Sequence, residues 1–176
     1  MPFLNPEQVI KSVGLSHGMQ VADFGCGAGF YSVPLARAVG PSGKVYALDA
    51  QKEMLELVRS KARASRLLNI TTMVSDLERP RGSNLAEGAI DFVIISNILF
   101  QAENKLALLK EAFRILKPGG GTAVVEWSTL SRSSGPKPEM IIPRQAAEKL
   151  LEDAGFKRDK EFYAGENHYG LLYHKP

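Results

Sequence analysis

Met19-Gln20-Val21-Ala22-Asp23-Phe24-Gly25-Cys26-Gly27-Ala28-Gly29 is the stretch from which the architecture can be read. Met19 to Phe24 is an apolar run of strand length, and glycines then alternate with small residues. Glycine lets a chain turn tightly and lets its backbone approach another molecule where a side chain would clash. Beyond the glycines, Tyr31 to Val39 carries a helical apolar pattern that stops at Gly40-Pro41-Ser42-Gly43. The start of a helix presents unpaired amides, so strand, glycine turn and helix together suit a close-lying, nucleotide-like ligand.

The same alternation extends outward from this unit. Upstream, Asn5-Pro6-Glu7 reads as the cap and first turn of a short helix whose Val9, Ile10 and Val13 lead to Gly14. Downstream, Lys44 to Leu48 forms a strand ending at Asp49, and Lys52 to Leu67 an amphipathic helix with Met54, Leu55, Leu57 and Val58 on its apolar side. Ile70 to Val74 and Ile90 to Ile95 are the third and fourth strands, with room for a further helix between them. Ala107 to Leu116 reads as a helix, Lys117-Pro118-Gly119-Gly120 as a turn, and Gly121 to Trp127 as the fifth strand. A last helix, Arg144 to Ala154, precedes Phe156 to Tyr163 and Tyr169 to His174, an antiparallel pair around Gly165-Glu166-Asn167. The middle strands are almost purely apolar, as parallel strands covered on both faces are. The expected fold is α/β: one domain over residues 1–176, a doubly wound, Rossmann-like seven-stranded sheet, mostly parallel, with a C-terminal antiparallel hairpin and helices on both faces. Such sheets hold ligands beyond the carboxyl ends of their strands, beside the point where strand order reverses.

Composition narrows the partners. The lone cysteine, Cys26, excludes an internal disulfide, and the N-terminal residues lack a secretory pattern, so a cytoplasmic protein is expected. The longest apolar stretch, Ala89 to Phe100, is too short to span a membrane and is broken by Asp91, Ser96 and Asn97. A net charge of +3 with acids and bases interspersed makes no demand for nucleic acid. Three histidines and one cysteine show no metal-ligand spacing, so no metal is expected.

The strand ends carry the chemistry. Asp49 closes the second strand, where Rossmann-type sites place an acid that accepts hydrogen bonds from ribose hydroxyls; an N-cap role for the next helix is compatible with this. The loop reads Asp-x-Gly-x-Gly-x-Gly rather than the GxGxxG that accommodates a pyrophosphate. A carboxylate at Asp23 repels a pyrophosphate and favours a cationic group such as an ammonium or sulfonium. Cys26 sits where a small buried residue belongs, which argues against a catalytic thiol.

Taken together, Val21 to Gly29, Asp49 and Leu116-Lys117-Pro118-Gly119-Gly120-Gly121 resemble the class I S-adenosylmethionine-dependent methyltransferases, in particular the ubiquinone/menaquinone-biosynthesis-type small-molecule group. The resemblance covers nearly the whole chain. It implies that S-adenosylmethionine is the cofactor, with Asp23, Gly25 and Gly27 along its methionine part and Cys26 and Gly29 in the same loop. It further implies Asp49 on the ribose, Ala50 and Gln51 near the adenine, Asp76 on the adenine amino group with Leu77 beside it, and Ser96 and Asn97 where the methyl is presented. Asn97 has an alternative role as a cap on the following short helix. The implied reaction is methyl transfer to a small-molecule acceptor by in-line displacement. Because a sulfonium methyl is already electrophilic, alignment and exclusion of water can suffice, and no base is obligatory. His17, Tyr31, Glu126, His168 and Tyr169 are candidate bases by type, and no spacing selects among them.

Glu126 and Trp127 end the fifth strand and face the substrate, or else Trp127 lies in the core with Glu126 on a polar rim. The serine- and proline-rich segment Ser128 to Pro143 is expected to act as a lid or as a plain connection, and a second subunit in a homodimer is another means of closing the site. Ser96-Asn97-Ile98-Leu99 differs from the Asn-Pro-Pro-Tyr type of motif in enzymes that methylate base amines. The alternatives are a noncatalytic S-adenosylmethionine-binding regulatory protein, an RNA or protein methyltransferase, and a dehydrogenase, the last opposed by the loop spacing and by Asp23.

Overall fold

The architecture was analysed on a computed structural model, which describes residues 4–128 and 135–176. The expected sheet is present: seven strands in the order β3-β2-β1-β4-β5-β7-β6. They are β1 (Gln20–Phe24), β2 (Lys44–Asp49), β3 (Ile70–Val74), β4 (Ile90–Ser96), β5 (Leu116–Trp127), β6 (Lys157–Tyr163) and β7 (His168–His174). Strands β1 to β5 pair in parallel, and β7 pairs antiparallel with both β5 and β6. Order reverses between β1 and β4, so the glycine loop after β1 opens at the switch point of the sheet.

Pleating sends alternate residues to opposite faces. Val21, Phe92 and Ile94 meet Val9, Ile10, Leu35 and Val39 of the helices α1 (Pro6–Val13) and α2 (Ser32–Val39). Ala22, Phe24, Val93 and Ile95 meet Leu109, Ala112 and Leu151 of α4 (Lys105–Ile115) and α5 (Arg144–Asp153). Leu55 and Val58 of α3 (Lys52–Ala64) close over Cys26 and Ala47. Both faces are therefore covered, which is why β1 and β4 tolerate so few polar residues. The caps follow their sequence signals: Asn5 Oδ1 accepts from the Glu7 and Gln8 amides, and Asn104 Oδ1 accepts from Ala107.

The structure departs from the sequence reading in three places. No helix lies between β3 and β4; residues 75–89 run through turns, with Arg81 and Asn84 in the left-handed region. Buried partners fix that path, since Ser83 donates to Glu111 Oε1 through both its amide and its hydroxyl, and Arg114 donates to the Leu85 carbonyl. The helix expected to reach Leu67 ends at Ala64, because Arg66 turns left-handed at φ 53°. Strand β5 begins at Leu116, so Lys117-Pro118-Gly119-Gly120 is an irregular stretch inside the strand rather than a turn before it. Gly119, at φ 77°, absorbs the irregularity while its amide donates to Lys175, and Lys175 donates back to Gly120.

Of the 128–143 segment, residues 129–134 lie outside the described residues, and the lid expectation falls in part on them. Its far end is anchored, since the Tyr169 hydroxyl donates to the Ile142 carbonyl at 3.0 Å. No helix among the described residues is long and apolar enough to cross a membrane.

Candidate functional site

At the carboxyl ends of β1, β2 and β4 lie two cavities of about 360 and 450 Å3 that share Gly25, Gly27, Ser96 and Asn97 as a common wall. The smaller holds Asp23, Cys26, Phe30, Tyr31, Trp127 and His168. The larger holds Asp49, Ala50, Gln51, Met54, Asp76, Leu77 and Ile98. Of the residues that the sequence implicates in cofactor binding, all but Gly29 line one or both. A Cβ on Gly29 would meet Val58 at 3.1 Å, so that glycine serves the packing of α3.

Glycine is required for different reasons on the two sides of the shared wall. At Gly25, with φ 65°, a Cβ would lie 2.5 Å from Ile98 Cγ2, so the close approach is to the protein itself. At Gly27, with φ 50°, a Cβ would meet nothing within 4 Å, and the space it would enter is cavity. The Gly27 amide donates to Asp49 Oδ2 at 2.9 Å, while Asp49 Oδ1 accepts from the Gln51 amide at 2.9 Å. One side chain thus ties the loop after β1 to the entry of α3. Gln51, not Asp49, occupies the N-cap position of that helix. Each carboxylate oxygen retains a further lone pair for a ligand hydroxyl.

Asp23 is buried and accepts the Ser32 hydroxyl at 2.6 Å through Oδ2, with the Ser32 amide also directed at the carboxyl. Burial pushes its pKa up to about 7, with Ser32 opposing the rise and the Asp49 charge adding to it. Ser32 was not singled out from sequence, since a serine in the first turn of a helix ordinarily serves the helix itself. Cys26 donates its amide to the Leu48 carbonyl, and burial pushes its thiol above the ordinary range, leaving a small inert side chain. Asp76 is exposed at the rim of the larger cavity, paired with Arg79 at 2.8 Å, whereas Leu77 behind it is buried.

Asn97 carries two signs of constraint. Its backbone is left-handed at φ 56°, and its buried Oδ1 has no hydrogen-bond partner among the described residues. It does not cap the following 3-10 turn, Leu99–Gln101, whose N-cap is Ile98. Such a combination is held in place by its surroundings, here the bond from the Asn97 amide to the Val125 carbonyl.

The five candidate bases separate in space. His17 is exposed beside Gly40, far from the cavities at the other end of β1. Tyr169 is buried and bound to Ile142, outside the glycine-loop cavities. Glu126 is fully buried and faces neither cavity; its Oε1 accepts from the Leu99 amide at 2.7 Å, fixing the turn after Asn97. Tyr31 and His168 line the smaller cavity, where His168 stacks on Trp127 with ring centroids 4.2 Å apart.

Burial pushes the Glu126 carboxyl up to about 7, so the folded protein holds this proton more tightly than the unfolded chain. That contribution to stability is present below the ordinary value of 4.5 and is lost as pH rises through about 7. Glu126→Gln keeps a hydrogen-bond acceptor and does not titrate. Its stability relative to the parent is expected to rise between about pH 5 and about pH 8, by roughly 1–3 kcal/mol in urea unfolding. Parallel stability curves for the two proteins are the contrary result.

Comparison with known proteins gives a consistent result. A family model described as "Methyltransferase domain" matches residues 15–166. The chain is 34% identical over 150 residues to a demethylmenaquinone methyltransferase of Lactococcus lactis subsp. lactis (strain IL1403), a match covering 83% of this chain and 54% of that protein. It is 31% identical over 122 residues to the demethylmenaquinone methyltransferase of Geobacillus sp. (strain WCH70), covering 69% and 51%. The chain therefore spans about half the length of the curated relatives it matches. Among solved structures, a SAM dependent methyltransferase from Aquifex aeolicus superposes with a TM-score of 0.89 at 32% identity, covering 98% of this chain and 90% of that one. The [4+2]-cyclase SpnF matches with a TM-score of 0.81 at 17% identity, covering 97% and 79%, and shares the fold alone.

Proposed function

The chain belongs to the class I S-adenosylmethionine-dependent methyltransferases, and from that membership we propose that it transfers a methyl group from S-adenosylmethionine to a small-molecule acceptor. The observation that carries this reading is the shared wall of Gly25, Gly27, Ser96 and Asn97, with a buried carboxyl on one side and a loop-tying carboxylate on the other. The residues fit the cofactor: Gly27 leaves open the space a Cβ would fill, and Asn97 offers a buried, unpaired oxygen at the junction.

When bound, S-adenosylmethionine supplies a methyl carbon made electrophilic by a positively charged sulfur. In this assignment Asp23, with Gly25, Cys26 and Gly27, receives the cationic methionine part. Asp49 takes the ribose hydroxyls, Ala50, Gln51 and Leu77 border the adenine, and Asp76 meets its amino group once released from Arg79. Ser96 and Asn97 stand where the two cavities meet, and there they fix the direction of approach. Trp127, Phe30 and Tyr31 line the acceptor side with rings that exclude water, which strengthens polar contacts made there. The acceptor named by the relatives is demethylmenaquinone, and it is the first to assay, followed by other small aromatic hydroxyl compounds. Residues 1–176 act as one domain in this reading, in the cytoplasm.

Calorimetry with S-adenosylhomocysteine tests the proposal. Asp49→Ala removes the acceptor of the Gly27 and Gln51 amides along with the ribose contact. Charged-group hydrogen bonds of this kind are worth about 1.5–3 kcal/mol, so Kd is expected to rise on the order of 10- to 100-fold. An unchanged Kd would sink the ribose assignment, and absence of binding by the parent protein would sink the whole reading.

A further inference from the structure

We propose that His168 is the catalytic residue on the acceptor side, receiving the acceptor's hydroxyl at its imidazole and taking its proton. The inference rests on the methyl-transfer reading above and supplies the base which that reading leaves unnamed.

His168 opens β7 directly opposite Trp127 on β5, so the antiparallel register sets the two rings side by side. The indole is confined from another side as well: a Cβ on Gly135 would come within 3.2 Å of it. The imidazole consequently has a fixed plane. It forms part of the wall of the glycine-loop cavity and also of a neighbouring cavity of about 710 Å3, which includes Ile142, Phe162, Tyr163 and Tyr169. No other candidate base borders both spaces. His168 is the residue that the two linings have in common, so its ring stands between the second cavity and the one that Asp23, Gly27 and Asn97 line.

The imidazole is prepared to accept a proton. Its Nε2 is enclosed and has no hydrogen-bond partner among the described residues. A buried, unpaired nitrogen costs free energy that a hydrogen bond from a ligand hydroxyl recovers. Burial lowers the pKa below the ordinary imidazole value of 6.5, so the ring is neutral near pH 7 and its lone pair is available. In the proton transfer, the acceptor O–H bond breaks and an N–H bond forms at Nε2. The electron pair stays on the acceptor for its new bond to the methyl carbon, whose bond to sulfur would break with that pair going to sulfur, and the resulting imidazolium returns its proton to solvent. Tyr31, the other ring-bearing candidate in the smaller cavity, is held protonated by burial and is suited to donate rather than accept.

Imidazole nitrogen NMR on histidine-labelled protein provides the direct test, using 1,4-dihydroxynaphthalene as probe with S-adenosylhomocysteine present. His168→Gln assigns the signal among the three histidines. The His168 resonance is expected to move on saturation with the probe while those of His17 and His174 stay. A stationary His168 signal, with S-adenosylhomocysteine binding seen in calorimetry, overturns this inference alone; no heat of binding overturns the methyl-transfer reading beneath it. In turnover, His168→Phe keeps a ring against Trp127 and is expected to lower kcat/KM roughly 100-fold, within the range of a lost general base, with S-adenosylhomocysteine affinity changed less than about 2-fold. With S-adenosylmethionine saturating, which removes the contribution of Asp23 to cofactor binding, the parent's fall in kcat/KM for the acceptor at acid pH, centred below 6.5, should vanish in His168→Gln. Other titrating groups face the same spaces: Asp23, Cys26 and Tyr31 in the glycine-loop cavity, and Arg144, Glu161, Tyr163 and Tyr169 in the neighbouring cavity of about 710 Å3. The variant separates His168 from them, because an acid limb that persists unchanged in His168→Gln assigns the proton to one of those groups and overturns the proposal.

Discussion

Gly25→Ala is expected to eliminate measurable S-adenosylhomocysteine binding and to lower stability by roughly 2–5 kcal/mol, combining a left-handed backbone cost of about 1–2 with overpacking of about 1–3. The new methyl would lie 2.5 Å from Ile98 Cγ2 and 3.0 Å from its Cδ1. Ile98 is buried and β-branched, and it follows the left-handed Asn97, so it has little freedom to withdraw. Relief must come from the loop, which carries Gly27 and its bond to Asp49 out of place. Gly27→Ala provides the contrast. Its methyl enters open cavity, so stability should fall by only about 1 kcal/mol while binding is lost just as fully. Urea unfolding and calorimetry read the two effects separately; equal destabilisation by both substitutions would contradict this division of labour.

Binding of the same ligand should release a proton and strengthen as pH rises toward 7. The free protein holds the Asp23 carboxyl at about 7 because it is buried. An ammonium placed against it favours the charged form, lowering the pKa in the complex. Below about pH 7 the ligand must displace a proton, and affinity is expected to fall by up to tenfold for each unit of acidification; above it, affinity levels off. Calorimetry in buffers of different ionisation enthalpy counts the released protons directly. Asp23→Asn should remove both the proton release and the pH slope and weaken binding at about pH 8 by on the order of 10- to 100-fold. A slope that survives the substitution would assign the titration to another group.

Both expectations concern a loop that could be located from sequence, because its signals are local. A strand-length apolar run, glycines at fixed intervals and the acid closing the next strand need no knowledge of distant residues. The doubly wound, mostly parallel sheet followed in the same way from alternation and from the handedness of crossovers. What escaped the sequence depends on partners far along the chain. The turns of residues 75–89 are dictated by Glu111 and Arg114 on α4, some thirty positions away by the pairing of Ser83 with Glu111. Glu126 read as a group at the edge of the site, yet it points under the turn at Leu99, since only the pleat of β5 decides which way its side chain goes. The same pleat and the β5–β7 register single out His168 among three histidines that look alike in sequence. The likeness to a cyclase shows why the site must be argued residue by residue: one fold hosts unrelated chemistries.

The wall common to both cavities has a thermodynamic consequence. Gly25, Gly27, Ser96 and Asn97 cannot be ordered from one side without being ordered for the other. In the assignment above the cofactor spans both cavities and the acceptor meets the same strip from the Trp127 side, so whichever molecule arrives first bears the entropy of settling these residues, and the two are expected to bind cooperatively without any change of shape. The coupling is reciprocal by necessity: whatever factor the first ligand adds to the second one's affinity, the second returns to the first. Substitutions along this strip should therefore alter the order of binding as well as its strength.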